Sequence, residues 1–379
     1  MKKRIVLLTF CAGFVIGVLQ LFSFHAIATF GAQATAAQTP ETGTDAGALK
    51  AFAMVNPVDT HTHAFHSDAE FYALMNRLHL HVLDIVVADD HNIFRSLQPE
   101  LASARKFIQG SHGRATLCTT FDPFKLEQPH FAVNAIRQLN QDFARGAVAV
   151  KIWKNIGMEL KRPNGKYVMP DDPIFEPIYR DIAEHNKTLI AHLAEPTSCW
   201  QAPNPDSPDY DYYKENPEWY MYLHPDHPSK ETILAARDRL LAENPHLRVV
   251  GAHLGSMETD VDEIARHLDR YPNFAVDTAA RMEYLMIQPR EKVRNFLIKY
   301  QDRVLYGTDL EFLVSESPAD ATKEWQDTYA RDWKFLATDD SLTYHGRKIE
   351  GLQLPAAVLK KIYHDNAVRW IPGVVRRRN

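Results

Sequence analysis

Cysteine is scarce in this 379-residue chain. Only Cys11, Cys118 and Cys199 occur, too few for a disulfide framework. Cys118 lies in the apolar run from Ala115 to Phe121 and reads as a core thiol, Cys199 reads as a loop residue, and no bond between them is expected. An excess of positive charge is also missing. The 43 basic residues face 48 acidic ones, a net charge of −5, so nucleic acid is not an expected partner. Neither G-x-x-x-x-G-K-[ST] nor a G-x-G-x-x-G after a strand is present, which removes the nucleotide-binding signatures. No G-x-S-x-G elbow supports a serine hydrolase, and Gly255-Ser256 reads as loop.

What is present begins with a leader. Lys2, Lys3 and Arg4 precede an uncharged apolar run from Ile5 to about Phe24, followed by small residues ending Ala32-Gln33-Ala34-Thr35-Ala36. That is the order of a secretory signal peptide over residues 1–36. The run also approaches the roughly 20 residues that span a bilayer, so an N-terminal anchor is the competing reading and the only expected link to a membrane. The protein is therefore expected to be exported, either periplasmic or secreted, or anchored by this segment. Cys11, inside the apolar run and after bulky Phe10, does not read as a lipid-attachment site. Beyond residue 36 the chain holds 40 basic and 48 acidic residues, a balance of −8. Residues 37–48, rich in Thr, Gly, Ala and Pro, read as a flexible tether, and the catalytic domain is expected over 49–379.

From there short β-like runs alternate with amphipathic helical segments, as in a parallel sheet with helical crossovers. The expected strands are 55–60, 83–88, 115–121, 147–153, 188–192, 248–252, 274–277 and 304–307. The expected helices include 70–78, 132–145, 173–185, 232–243 and 259–270. Eight strands suggest an α/β fold of the (β/α)8 TIM-barrel type, with a doubly wound open sheet as the alternative. Two connections exceed plain barrel loops: about 195–229 after the fifth strand, crowded with Trp and Tyr, and about 310–351 after the eighth. Both would leave the C-terminal face and are read as lids.

Asp59-Thr60-His61-Thr62-His63 closes the first strand, and alternate residues of an extended chain face the same way, so His61 and His63 can share one metal ion. An H-x-H alone is a weak signal in a chain with 18 histidines. Other expected strands, however, also end in ligand chemistry at His192, His253 and Asp309, and all would converge on one mouth. Imidazole and carboxylate donors suit zinc, manganese or iron. A set without cysteine speaks for an open catalytic site rather than a closed structural one.

In order, Asp59-Thr60-His61-Thr62-His63, Ala191-His192, Gly251-Ala252-His253-Leu254-Gly255, Tyr306-Gly307-Thr308-Asp309 and His364-Asp365-Asn366-Ala367 resemble the amidohydrolase superfamily. The resemblance covers about Val55 to Trp370, and is strongest to the branch that includes amino-carboxymuconate-semialdehyde decarboxylase and pyrone-dicarboxylate lactonase. It implies a divalent metal, zinc first, held by His61, His63, His192 and Asp309. His253 maps to a position used as ligand or as acid/base, giving it the role of oxyanion stabiliser or proton donor. Asp309 doubles as general base toward the attacking water. Lys151, in the fourth strand, resembles the carbamylated lysine of binuclear relatives. If it is carbamylated, two ions are implied; otherwise one, with Lys151 as a substrate contact or a neutralised barrel lysine.

Arg281, just past the seventh strand, is placed to clamp a substrate carboxylate. Glu195 could contact a substrate hydroxyl or orient a ligand, and Trp153 and Lys154 could line the pocket floor. His91 and Arg95 are weaker candidates. The expected partner is a small molecule, and the aromatic loop could instead cover a second subunit in a homodimer. The leading expectation is hydrolysis of a small ester, lactone or amide by metal-activated water. The alternatives are non-oxidative decarboxylation or hydration of a carboxylic acid, and a non-catalytic exported binding protein.

Overall fold

A computed structural model describes residues 44–89, 96–344 and 346–375. The expected leader, most of the tether, His91 and Arg95 lie outside the described residues. The helix Thr44–Met54 takes in residues 44–48, which composition reads as the end of the tether. Among the described residues no helix is long and apolar enough to cross a membrane.

The barrel strands are β1 (Val58–Ala64), β2 (His81–Ile85), β3 (Ala115–Thr120), β4 (Ala149–Ile152), β5 (Thr188–Ala191), β6 (Arg248–Gly251), β7 (Phe274–Asp277), β8 (Val304–Leu305) and β9 (Leu310–Phe312). Each pairs in parallel with the next from β1 to β8, and β9 pairs in parallel with β1. β8 and β9 are two pieces of one eighth strand, interrupted at residues 306–309. The first piece pairs with β7 and the second with β1, so the sheet closes on itself as a (β/α)8 barrel.

The connecting helices begin where local chemistry starts them. Asp68 accepts hydrogen bonds from the Glu70 and Phe71 amides ahead of the helix Ala69–Arg77. Ser229, Asp260 and Ser317 cap Lys230–Glu243, Val261–Arg270 and Pro318–Ala337 in the same way. Each such cap stabilises its helix by about 1 kcal/mol. The connection over 310–351, expected as a long loop and lid, holds regular structure. It contains β9, the 20-residue helix Pro318–Ala337, and an antiparallel hairpin of β10 (Ser341–Tyr344) and β11 (Arg347–Glu350). The connection after β5 folds as short helical turns, including Tyr210–Glu215.

The inside of the barrel has an apolar floor. Val58, Leu83, Ile85, Cys118, Ala149, Ile190, Val250, Ala275 and Leu305 meet there, plugged from below by Trp370, Ile371 and Val374. Side chains repeat every two residues along a strand, so one step toward the C-terminal end leads from Ala149 to Lys151, Ile190 to His192, Ala275 to Asp277 and Leu305 to Gly307. Apolar burial thus fills the lower layer, and the next layer up carries the chemistry. β1 reaches that layer through an irregularity. Its register against β2 shifts between Asp59 and Thr62. Strict alternation from Val58 would turn 60 and 62 inward, whereas the shift brings His61 and His63 to the mouth.

Candidate metal centre and its surroundings

His61, His63 and Asp309 each offer a ligand atom, and the three atoms lie within 4.8 Å of one another. Asp309 Oδ1 is 3.3 Å from His61 Nε2 and 3.4 Å from His63 Nε2. The interrupted eighth strand makes this possible. Asp309 adopts a left-handed backbone (φ 69°), and its amide donates to the His61 carbonyl at 2.8 Å. Asp59 staples the same seam. Its Oδ1 accepts from the His61 and Thr308 amides, and its Oδ2 from the Thr308 hydroxyl at 2.6 Å and the Tyr329 hydroxyl at 3.0 Å. Burial pushes the Asp59 carboxyl up to about 7 despite those donors. Gly307 eases the close approach, because a Cβ there would sit 3.0 Å from the Cβ of His61 and press it aside by a few tenths of an ångström.

Hydrogen bonds to groups that can only accept decide which ring nitrogens carry protons. His63 Nδ1 faces the Ile85 carbonyl at 2.8 Å, and His61 Nδ1 faces Asp277 Oδ2 at 2.9 Å. Both Nδ1 atoms therefore donate, which leaves both Nε2 atoms as lone pairs beside Asp309, that of His61 also facing Lys151 Nζ. His253 Nδ1 donates to the Ala279 carbonyl at 2.9 Å, so its Nε2 accepts from His192 Nδ1 at 3.2 Å. That assignment leaves His192 Nε2 as a lone pair, and this atom is buried without a hydrogen-bond partner. Burial lowers the pKa of His61, His192 and His253, reinforced at His61 by Lys151 and at His192 by His253, so all three are neutral at pH 7. The Nε2 lone pairs of His61, His63 and His192 and the Asp309 carboxylate are a donor set that fits a divalent ion such as zinc.

The six residues expected as ligands fall into three groups. His61, His63 and Asp309 converge; His192 and His253 pair beside them, their rings 4.2 Å apart and His253 4.8 Å from His61. Lys151, fully buried, places Nζ 3.0 Å from His61 Nε2, and burial lowers its pKa although Asp309 and Asp277 oppose the shift. In this arrangement His253 has no free N–H: the expected donor role would require it first to take a proton at Nε2.

The expected substrate contacts form a second cluster beyond His192. Glu195 Oε1 lies 3.9 Å from His192 Nε2 and accepts from the buried ammonium of Lys154. Lys154 also donates to the Tyr212 hydroxyl at 2.8 Å and sits 4.2 Å from the centre of the Trp219 ring. Burial works against its charge, but Glu195 and Tyr212 outweigh it and raise the pKa. Trp153 packs edge-on against Trp219, 5.2 Å between ring centres. Arg281 is buried with Glu195 Oε2 and Asp209 Oδ1 each 3.9 Å away; its Nη1 donates to the Ala280 carbonyl and its Nε has no partner. Asp209 accepts from Ser198 at 2.7 Å and from Tyr284.

Asp277, Asp59, Asp209 and Tyr212 were not singled out from the sequence. Asp277 was within reach, since it stands one inward step above a floor residue just as Lys151 and His192 do. Asp209 and Tyr212 come from the connection after β5, where no periodicity announces which side chain turns inward.

The family model described as Amidohydrolase matches residues 58–372, from the first barrel strand to the C-terminal plug. The chain belongs to the amidohydrolase family. No curated protein matches it. Solved structures similar to this amidohydrolase include 2,6-dihydroxybenzoate decarboxylase from Rhizobium, at 15% identity over 83% of this chain and 98% of that one, with a TM-score of 0.47. Another is 4-oxalomesaconate hydratase from Rhodopseudomonas palustris, at 12% identity over 84% and 96%, TM-score 0.46. A third is an amidohydrolase from Burkholderia multivorans with bound zinc, at 11% identity over 83% and 98%, TM-score 0.43. Likeness at this level bears on no question of chemistry. Family membership does agree with the resemblance read from the ordered histidine and aspartate motifs.

Proposed function

We propose that this amidohydrolase hydrolyses a small ester, lactone or amide, using one divalent ion held by His61, His63 and Asp309. The observation that carries the reading is the pair of Nε2 lone pairs that meet at Asp309 Oδ1, each ring fixed from behind by an acceptor on Nδ1. When bound, the ion would polarise a carbonyl and make a water more acidic. Asp309 is the base. Its side chain keeps 29% exposure while those of His61 and Asp277 have none, so it is the carboxylate that an entering water can reach. His192 Nε2 is a second acceptor, and a proton arriving there can be matched by passage of its Nδ1 proton to His253 Nε2. Arg281, with its unpartnered Nε, holds the anionic oxygen of substrate or tetrahedral intermediate.

That same Arg281 favours a second reading, in which the guanidinium grips a substrate carboxylate and the reaction is non-oxidative decarboxylation or hydration. Export, resting on the basic and apolar residues 2–36, belongs to the same proposal.

The test combines elemental analysis of the purified chain with a panel of esters, lactones, amides and keto-acids, for the wild type and for Asp309→Asn and Lys151→Ala. The expected result is one zinc-class ion per chain, unchanged in Lys151→Ala, and hydrolysis that falls by at least about a thousandfold in Asp309→Asn with the melting temperature retained. CO2 release without hydrolysis would replace the first reading by the second. Two ions falling to one or none in Lys151→Ala would make Lys151 a carbamylated bridge. No turnover on any substrate would leave a binding protein.

A further inference from the structure

The carboxylate at the end of β7 touches two parts of the site at once. Asp277 is fully buried. Its Oδ2 receives the His61 Nδ1 proton at 2.9 Å, and its Oδ1 accepts the backbone N–H of His253 at 2.8 Å and of Ala279 at 3.1 Å.

The backbone it holds at His253 is unusual. His253 (φ 59°, ψ 48°), Leu254 (φ 58°), Gly255 (φ 64°) and Ser256 (φ 57°) form a continuous left-handed turn. Side-chain-bearing residues enter that region at a cost and stay only where surrounding bonds over-determine them. Here Asp277 holds the front of the turn. The buried Arg237 donates to the Gly255 carbonyl at 2.6 Å, and Ser256 donates to the Ala194 carbonyl, at the back. Through this turn His253 is set 3.2 Å from His192.

The geometry points to Asp277 as a positioning residue that sets the tautomer of His61 and the placement of His253 together. One oxygen takes the Nδ1 proton and so, with Lys151 Nζ 3.0 Å from Nε2, keeps the Nε2 of His61 a lone pair; the other anchors the turn that carries its neighbour. Only a carboxylate can do both, because both contacts demand an acceptor. An amide of the same shape has one oxygen and one NH2. If the amide oxygen keeps the backbone bonds, its NH2 faces His61 Nδ1, and the ring relieves that clash of donors by moving its proton to Nε2, where Asp309 Oδ1 at 3.3 Å accepts it and Lys151 Nζ must give way. The lone pair needed for a ligand is then gone.

The experiment compares the full chain with Asp277→Asn in two measurements. One is the affinity of the metal-free protein for Zn2+ alone, by competition with a chelating dye; this arm rests on the proposed ion site. The other is the 15N spectrum of histidine-labelled, metal-free protein, with the His61 signals identified by their loss in His61→Gln; this arm does not. The expected result is Nδ1–H in the wild type, Nε2–H in Asp277→Asn, and Zn2+ affinity reduced by about 10- to 100-fold. Unchanged tautomer and unchanged affinity would overturn the inference. If the wild type itself fails to bind Zn2+, the ion site falls, while the tautomer switch still decides the role of Asp277. Should Asp277→Asn fail to fold, the wild-type spectrum decides alone, and an Nε2–H form of His61 overturns the assignment.

Discussion

On the β1–β9 side of the barrel mouth the side chains are held from behind; on the β5–β7 side polar atoms have been left over. His61, His63 and Asp309 are fixed by Asp277, the Ile85 carbonyl, Asp59 and the His61 carbonyl, with Gly307 giving His61 its space. Across the mouth, His192 Nε2 and Arg281 Nε are buried without a partner, although charges of both signs crowd around them. A buried polar atom without a partner costs about 1–3 kcal/mol, more when charged, and a ligand that bonded these two would recover that cost. The first side is held in one geometry, and the second is where the proposed ligand would bind.

The contrast can be broken most forcefully at Glu195. Replacing it by Gln leaves the Lys154 ammonium buried without its counter-ion, and denaturant unfolding should show a loss of about 3–5 kcal/mol. A loss below about 1 kcal/mol would mean that Tyr212 and the Trp219 face suffice for Lys154, and that Glu195 is there for the ligand. A smaller effect is expected at Gly307. A methyl group there presses on the His61 Cβ, so Gly307→Ala should weaken Zn2+ binding by about 10- to 100-fold, read by the same dye competition. Equal binding would show that the β1–β9 side tolerates displacement and that its rigidity has been overstated. The mildest change is Arg281→Lys, which keeps the charge and loses the fork. On a substrate found in the screen, KM should rise about tenfold with kcat within about twofold. An effect on kcat instead would move Arg281 from binding to the chemical step.

Much of the β1–β9 side could be read from sequence because its residues sit at strand ends in ordered motifs. The barrel strands fell close to their expected places, with Phe274–Asp277 unchanged. The eighth strand was harder, because residues 306–309 break it in two and the second half follows a left-handed Asp309 that no periodicity reveals. The helix Pro318–Ala337 was missed inside a presumed loop, although Ser317-Pro318 is a helix-start pair. The β5–β7 side was less legible. Arg281, Glu195 and Lys154 were named as separate substrate contacts, but their mutual distances depend on how the connection after β5 folds back with Asp209 and Tyr212. The left-handed turn at His253 also escaped, since three of its four residues are not glycine and nothing local favours it.

The seam between β1 and β9 has a consequence for how long the protein lasts. The pairing of Thr62 with Leu310 and His63 with Glu311 joins strands nearly 250 positions apart, among the last contacts a folding chain of this topology can make. A ligand gripping His61, His63 and Asp309 together would lie across that joint like a clasp. It would add about 2.7 kcal/mol at a hundred times its dissociation constant, all of it opposing the separation of the chain's two ends. If the protein is exported, as proposed, loading the site would then bear on survival among proteases as well as on turnover.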